Sequence, residues 1–144
     1  MTDPDLIRFV DAQAPIFPSV VKELTEGCKR THWMWFVFPQ LVGLGRSSTA
    51  QHYAIRDRDQ AIRYLSDPLL GKRLINCVEI MMSHKEKSAL EILGSPDDYK
   101  FRSCLTLFRK AVRDSGGTVS FSSALDQFYE GQPDQRTLDL MPPG

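Results

Sequence analysis

The sequence predicts an all-α fold, a compact multihelical single domain over residues 1–144 with a short aromatic segment buried at its centre. Three observations lead to it. Asp or Ser stands before proline at Asp3-Pro4, Asp67-Pro68 and Ser95-Pro96. Each pair sets a capping side chain ahead of a residue whose φ already suits a helix and whose missing N–H costs nothing in the first turn. Phe101, Cys104, Leu105, Phe108 and Val112 recur at the spacing of one buried helical face. No stretch sustains the alternation of a half-buried strand.

In chain order, Asp3-Pro4 opens a helix over about 4–13, and a second spans 15–26 with Gly27 as its stop. Beyond the aromatic run, helices follow at 48–55 and 58–66. Asp67-Pro68 opens a longer one over 68–83, which keeps Gly71 inside it. A short helix over 88–94 ends at Gly94, and the clearest one spans 96–113, where Asp97 and Asp98 are first-turn anions favoured by the helix dipole. Gly116-Gly117 and Gly131 separate the last two, at 119–130 and 134–141, before the tail Pro142-Pro143-Gly144.

A chain of 144 residues can bury an adequate core without a disulfide or metal. Its 18 Lys and Arg balance 18 Asp and Glu, which argues against nucleic acid or an anionic membrane as a partner held by bulk charge. Cys28, Cys77 and Cys104 are odd in number and widely spaced, as expected of free thiols in a reducing compartment. The opening MTDPDLIRFV has Asp3 and Asp5 where a signal peptide carries Lys or Arg, and no apolar run reaches transmembrane length. The expected location is cytoplasmic. None of His32, His52 and His84 has a second His or a Cys at ligand spacing, so no metal site is expected, and no cofactor is implied.

The run His32-Trp33-Met34-Trp35-Phe36-Val37-Phe38-Pro39 is apolar on every face, whether strand or helical turn. Met34, Phe36 and Val37 read as core, where each large side chain contributes roughly 1.5–3 kcal/mol. The two tryptophans read either as core with a hydrogen-bonded indole or as walls of an aromatic pocket for a planar ligand. His32 follows the basic stretch Lys29-Arg30-Thr31 and reads as a structural hydrogen-bonding residue, or as a ligand contact or proton carrier. In Pro39-Gln40-Leu41-Val42-Gly43-Leu44-Gly45-Arg46-Ser47-Ser48, Gly43 and Gly45 allow a tight turn or the close approach of a phosphate. Ser47 or Ser48 can cap the next helix. This is not a dinucleotide fingerprint, since no strand leads in and no third glycine follows. On 96–113 the face opposite the core carries Arg102, Thr106, Arg109 and Arg113, with Lys100 and Ser103 nearby. Ser and Thr are mediocre helix formers, so Ser103 and Thr106 are candidate donors to a ligand.

The segments GCKRTHWMWFVFPQLVGLGRSSTAQHYAI, AIRYLSDPLLGKRL, ILGSPDDYKFRSCLTLF and ALDQFYEGQPDQRTLDLM together resemble the bacterial family called domain of unknown function 1810, in order from Leu6 to Met141. The resemblance implies a compact multihelical fold and no established activity. Some members carry the label calpastatin, but inhibitory segments of that kind are polar and disordered, unlike this chain. Thr31 stands where the family usually has Ser, and Cys104-Leu105 where it often has Ser-Met. Carried onto matching positions, the motif marks Lys29, His32, Trp33, Trp35, Pro39, Gln40, Gly43, Gly45, Ser47, Tyr53, Lys100, Arg102, Ser103 and Thr106. A helical family acting on N-glycosidic bonds of ribosylated substrates is similar only at Gln51-His52-Tyr53. Gln51 stands where that family has its acid, and glutamine cannot act as one.

Two functions follow as expectations. The first is a small-molecule pocket for a nucleotide- or NAD/ADP-ribose-derived ligand, bound or hydrolysed at its glycosidic bond, with His32 or Asp98 as the acid or base in the second case. In it His32, Gln40 and Arg102 converge beside Trp33 or Trp35. The alternative is a non-catalytic protein-interaction module, its partner unknown, using the basic stripe and exposed aromatics.

Overall fold

The structure, a computed structural model, describes residues 4–112 and 120–141. The Asp3 cap, Arg113, the Gly116-Gly117 break, the helix start at 119 and the Pro142-Pro143-Gly144 tail lie outside the described residues. The fold is all-α. In order the helices are α1 (Ile7–Gln13, entered through a 3-10 turn at Pro4–Leu6), α2 (Phe17–Glu26), α3 (Met34–Val37), α4 (Ser48–His52) and α5 (Arg58–Ser66). They continue with α6 (Leu70–Met82), α7 (Ala89–Leu93), α8 (Asp97–Val112), α9 (Ser120–Tyr129) and α10 (Gln135–Leu140).

Side-chain caps fix the starts of α4, α5, α7 and α10. Asp57 accepts the Gln60 N–H at 2.9 Å and Asp134 accepts the Thr137 N–H at 3.0 Å. Ser88 and Glu91 form a reciprocal capping box at α7. Asp67 keeps a capping role, one Oδ1 taking the N–H groups of Leu69 and Leu70 at 2.9 Å each, but α6 begins at Leu70 rather than at Pro68. Ser95 does not: the Asp98 N–H that a Ser95 cap would hold donates instead to the Gly94 carbonyl at 2.9 Å, across a cis Ser95–Pro96 bond. The helix expected at 48–55 stops at His52 because Ile55 has a better use. Its N–H and carbonyl pair with Gln40 and Val42 at 2.8 Å, an isolated parallel bridge between Leu41 and Ile55.

The longest helix, α8, is the axis of the molecule and packs against α5, α7, α9 and α10. Its predicted core face, Phe101, Cys104, Leu105, Phe108 and Val112, is buried. On the opposite face Arg102 and Arg109 are half-buried and Ser103 and Thr106 are covered. Thr106 is fully buried and Ser103 is 6% exposed, because the segment leading into α10 folds back over them. The aromatic run forms the single turn α3 in the core: Trp33, Met34, Val37 and Phe38 are buried, while Trp35 and Phe36 are half-buried. Gln13 of α1 anchors it by donating to the Phe36 carbonyl at 2.6 Å. Among the described residues no helix is long and apolar enough to cross a membrane.

Cys77 and Cys104 are buried and Cys28 is exposed, all three as free thiols. Burial pushes the Cys77 thiol up to about 12 and Cys104 well above its usual value. In native protein a thiol reagent at neutral pH is therefore expected to label Cys28 alone, and all three only after unfolding. Fast labelling of two or more in the native state would contradict this packing.

Candidate functional site

The site begins at a carboxylate that sequence reasoning passed over. Glu23 lies on the buried face of α2 between Val20 and Leu24 and is 5% exposed. After α2 ends at Gly27, in left-handed backbone at φ 73°, the chain wraps round this carboxylate. Glu23 Oε1 accepts the Arg30 N–H at 2.8 Å, the Thr31 N–H at 3.1 Å and the Trp33 indole N–H at 2.9 Å. Its Oε2 accepts the Thr31 hydroxyl at 2.7 Å. Burial alone would raise its pKa, but these hydrogen bonds favour the charged form more strongly and bring it down to about 2. The Trp33 ring is thus a core element with a satisfied N–H, as a buried indole requires.

The same loop directs Lys29 inward. The Lys29 N–H donates to the Ile92 carbonyl at 2.8 Å, its Nζ lies 5.1 Å from the Trp33 ring centroid, and it pairs with Asp97 Oδ2 at 2.9 Å. Asp97 Oδ1 is 3.8 Å from Lys100 Nζ, which in turn sits 5.4 Å from the Trp35 ring centroid. Lys29, Trp33, Asp97, Lys100 and Trp35 therefore form one continuous arrangement, and Lys100 is its outward end.

Lys100 opens onto a cleft of about 400 Å³ with three walls. Gln40, Gly45, Arg46 and Ser47 come from the loop before α4. Pro96, Tyr99, Lys100 and Ser103 come from the first half of α8, and Asp134 and Arg136 from the start of α10. Gly45 is needed for the loop's close packing, since a Cβ there would lie 2.4 Å from Ala50 Cβ. Ser47 Oγ accepts the Ala50 N–H at 3.0 Å and so caps α4. Ser103 Oγ is turned back to the Tyr99 carbonyl at 3.2 Å. Asp134 Oδ2 is occupied by the N–H and hydroxyl of Thr137 at 3.0 and 2.6 Å. Arg46 and Arg136, both exposed, form no ion pair among the described residues. The ring of Tyr99, 64% exposed, stands at the rim.

Of the sequence-selected residues, Gln40, Gly45, Ser47, Lys100 and Ser103 line this cleft. Lys29, Trp33 and Trp35 stand behind it. The others are elsewhere. His32 is exposed in the loop before α3. Arg102 turns to the Gln132 carbonyl at 2.8 Å and to the Tyr129 ring, 5.6 Å from its centroid. His32, Gln40 and Arg102 accordingly do not share this cleft. Thr106 spends its hydroxyl on backbone groups. Tyr53 packs among Phe9, Phe36 and His52. Gly43, at φ 99°, faces Leu140. Asp98 holds a buried Oδ1 with no hydrogen-bond partner among the described residues, and its carbonyl accepts the Tyr129 hydroxyl. No group of three His, Cys, Asp or Glu among the described residues is placed to hold a metal ion.

Comparison with known proteins adds the following. A solved structure with 47% sequence identity, the conserved hypothetical protein Rv1873 from Mycobacterium tuberculosis, superposes with a TM-score of 0.92 over 96% of this chain and 98% of that one. No curated protein matches. The family described as "Protein of unknown function (DUF1810)" matches residues 3–141. With that match running through the loop round Glu23, all three walls of the cleft and every helix between them, the chain belongs to the DUF1810 family.

Proposed function

We propose that this protein binds an anionic small molecule of nucleotide type, such as a nucleotide or an NAD- or ADP-ribose-derived compound, in the cleft between the Gly45 loop, α8 and α10. One observation carries the reading. Arg46 and Arg136, two guanidinium groups without carboxylate partners among the described residues, line one concavity with Lys100 although the three come from separate segments. Unpaired cations drawn into a cleft repel one another, and a bound phosphate relieves that repulsion while accepting bidentate hydrogen bonds from arginine. A volume of about 400 Å³ suits a ligand larger than a simple ion. The Tyr99 ring and the Gln40 amide offer a stacking face and a donor–acceptor pair for the remainder of such a ligand. The one carboxylate in the lining, Asp134, is already held by Thr137, so the reading is binding rather than glycosidic hydrolysis.

The test is a thermal-shift series with ADP-ribose, NAD, mononucleotides and sugar phosphates. A ligand at 100 times its Kd is expected to stabilise by about 2.7 kcal/mol, a rise of several degrees. Arg46→Ala with Arg136→Ala should remove the shift and leave the ligand-free melting temperature nearly unchanged, because both side chains are exposed and form no ion pair among the described residues. A shift that survives the double variant, or none with any compound, overturns the reading. A protein-interaction module is the second reading. It draws support from a shallow groove of about 680 Å³ along α6, where Pro68, Leu69 and Ile75 give a mainly apolar floor.

A further inference from the structure

Arg136 stands in the first turn of α10, and the connection that brings α10 to the cleft has no regular structure of its own. After α9 the chain turns through Glu130 and Gly131, at φ 54° and 76°, and crosses α8 before α10 begins. Two α8 side chains hold that crossing. Thr106 donates its hydroxyl to the Arg102 carbonyl at 2.8 Å and accepts the Asp134 N–H at 2.9 Å. A hydroxyl has one proton, and once the Arg102 carbonyl takes it, the oxygen lone pairs face the incoming amide. Arg102 Nε donates to the Gln132 carbonyl at 2.8 Å, its guanidinium resting on Tyr129. Asp134, fixed in this way, caps α10, and Arg136 projects from the first turn that the cap defines.

We infer that Arg102 and Thr106 are positioning residues of the cleft: they hold the 132–134 crossing and thereby set Arg136 against Arg46 and Lys100. The inference rests on the binding reading above. It gives a role to two residues that the sequence marks but that the cleft does not use directly. Thr106 matches valine in shape, so valine removes both hydrogen bonds without opening a cavity. Lysine at 102 keeps the charge but cannot reproduce the planar Nε donor.

The experiment is calorimetric titration of the full chain with ADP-ribose and with inorganic pyrophosphate, comparing wild type, Thr106→Val, Arg102→Lys, Arg136→Ala and Thr106→Val/Arg136→Ala. Thr106→Val should raise Kd about tenfold, the scale of one lost charge-assisted contact. The salt dependence of Kd should become as shallow as that of Arg136→Ala, since the same cation is displaced. In the double variant Kd should equal that of Arg136→Ala alone, because a misplaced arginine and a missing one lose the same contact. Thr106→Ser, which keeps the hydroxyl, should restore wild-type Kd. A threonine that only supports the fold would lower the melting temperature while leaving Kd and its salt dependence untouched, and that result overturns the inference. If Thr106→Val does not fold, Arg102→Lys decides the matter by the same comparisons. Unchanged Kd in Arg136→Ala, or no binding by wild type, removes the cleft reading and this inference with it. Weakening in Arg136→Ala but not in the two positioning variants removes the inference alone.

Discussion

Glu23→Ala is expected to destabilise the fold by about 3–5 kcal/mol, the scale set by leaving buried groups without their charged partner. Four donors converge on this carboxylate. The Trp33 indole N–H loses its only acceptor among the described residues, on a ring that is 1% exposed. The Arg30 and Thr31 N–H groups belong to the loop that also delivers Lys29 to Asp97, so losing the carboxylate releases its Arg30–Trp33 half, while Lys29 keeps its bonds to Ile92 and Asp97. Glu23→Gln retains one oxygen for the N–H groups but loses charge assistance, and about half the effect is expected. Urea unfolding measures both variants. A loss below about 1 kcal/mol in the alanine variant would mean that the loop holds its course without the carboxylate.

The same group gives stability a definite dependence on pH. Burial opposes its charge, yet the hydrogen bonds hold its folded pKa near 2, below the ordinary value of 4.5. A depressed folded value means that the unfolded chain binds the proton more readily. The contribution is therefore complete above pH 4.5 and is lost as pH falls through the folded value near 2. Discounted for solvent at the edge of the site, it is about 2 kcal/mol. In Glu23→Gln that part of the acid slope should vanish, while the slope from other carboxylates remains.

What was legible in the sequence divides along physical lines. Helices were readable because their causes are local: Asp67 caps its neighbours two and three residues on, and the Phe101–Val112 periodicity needs only one helix to express it. Ser95-Pro96 misled because the Asp98 N–H goes to the Gly94 carbonyl rather than to the Ser95 side chain. Thr106 misled for a different reason. Helical position alone sets it opposite the core, but a segment 28 residues later folds across it and buries it. The cleft depends on such returns throughout. Arg46 was within reach, lying between two residues already selected, Gly45 and Ser47. Arg136 has no local signal, since only the turn at Gly131 and the bond to Thr106 bring it to α8. Glu23 did carry a signal, a charged residue at the 0, 3, 4 spacing of Val20, Glu23 and Leu24 on a buried face. A carboxylate there must be matched by donors from elsewhere in the chain.

Gly71→Ala is expected to cost about 3 kcal/mol, against the usual direction of that substitution. Inside a helix glycine is about 1 kcal/mol less favourable than alanine, so propensity alone predicts stabilisation. Packing reverses the sign. A Cβ at position 71 would lie 2.0 Å from the Leu65 carbonyl oxygen, 2.8 Å from its carbon and 3.1 Å from its Cα. All three are backbone atoms in the last turn of α5, with no rotamer by which to move away. Relief requires α5 and α6 to separate, and Asp67 resists this from both sides. Its Oδ1 holds the Leu69 and Leu70 N–H groups, and its carbonyl accepts the Gly71 N–H at 3.0 Å. Shifting α5 instead would disturb Ala61 and Tyr64, both fully buried, on a helix packed against α8. Lys72→Ala, one residue on and exposed, is the matched control and should change stability by less than about 0.5 kcal/mol. Urea midpoints of the two variants decide the point: equal stability for Gly71→Ala and wild type would mean that the α5–α6 corner yields freely, and the close approach at Gly71 would then carry no energetic weight.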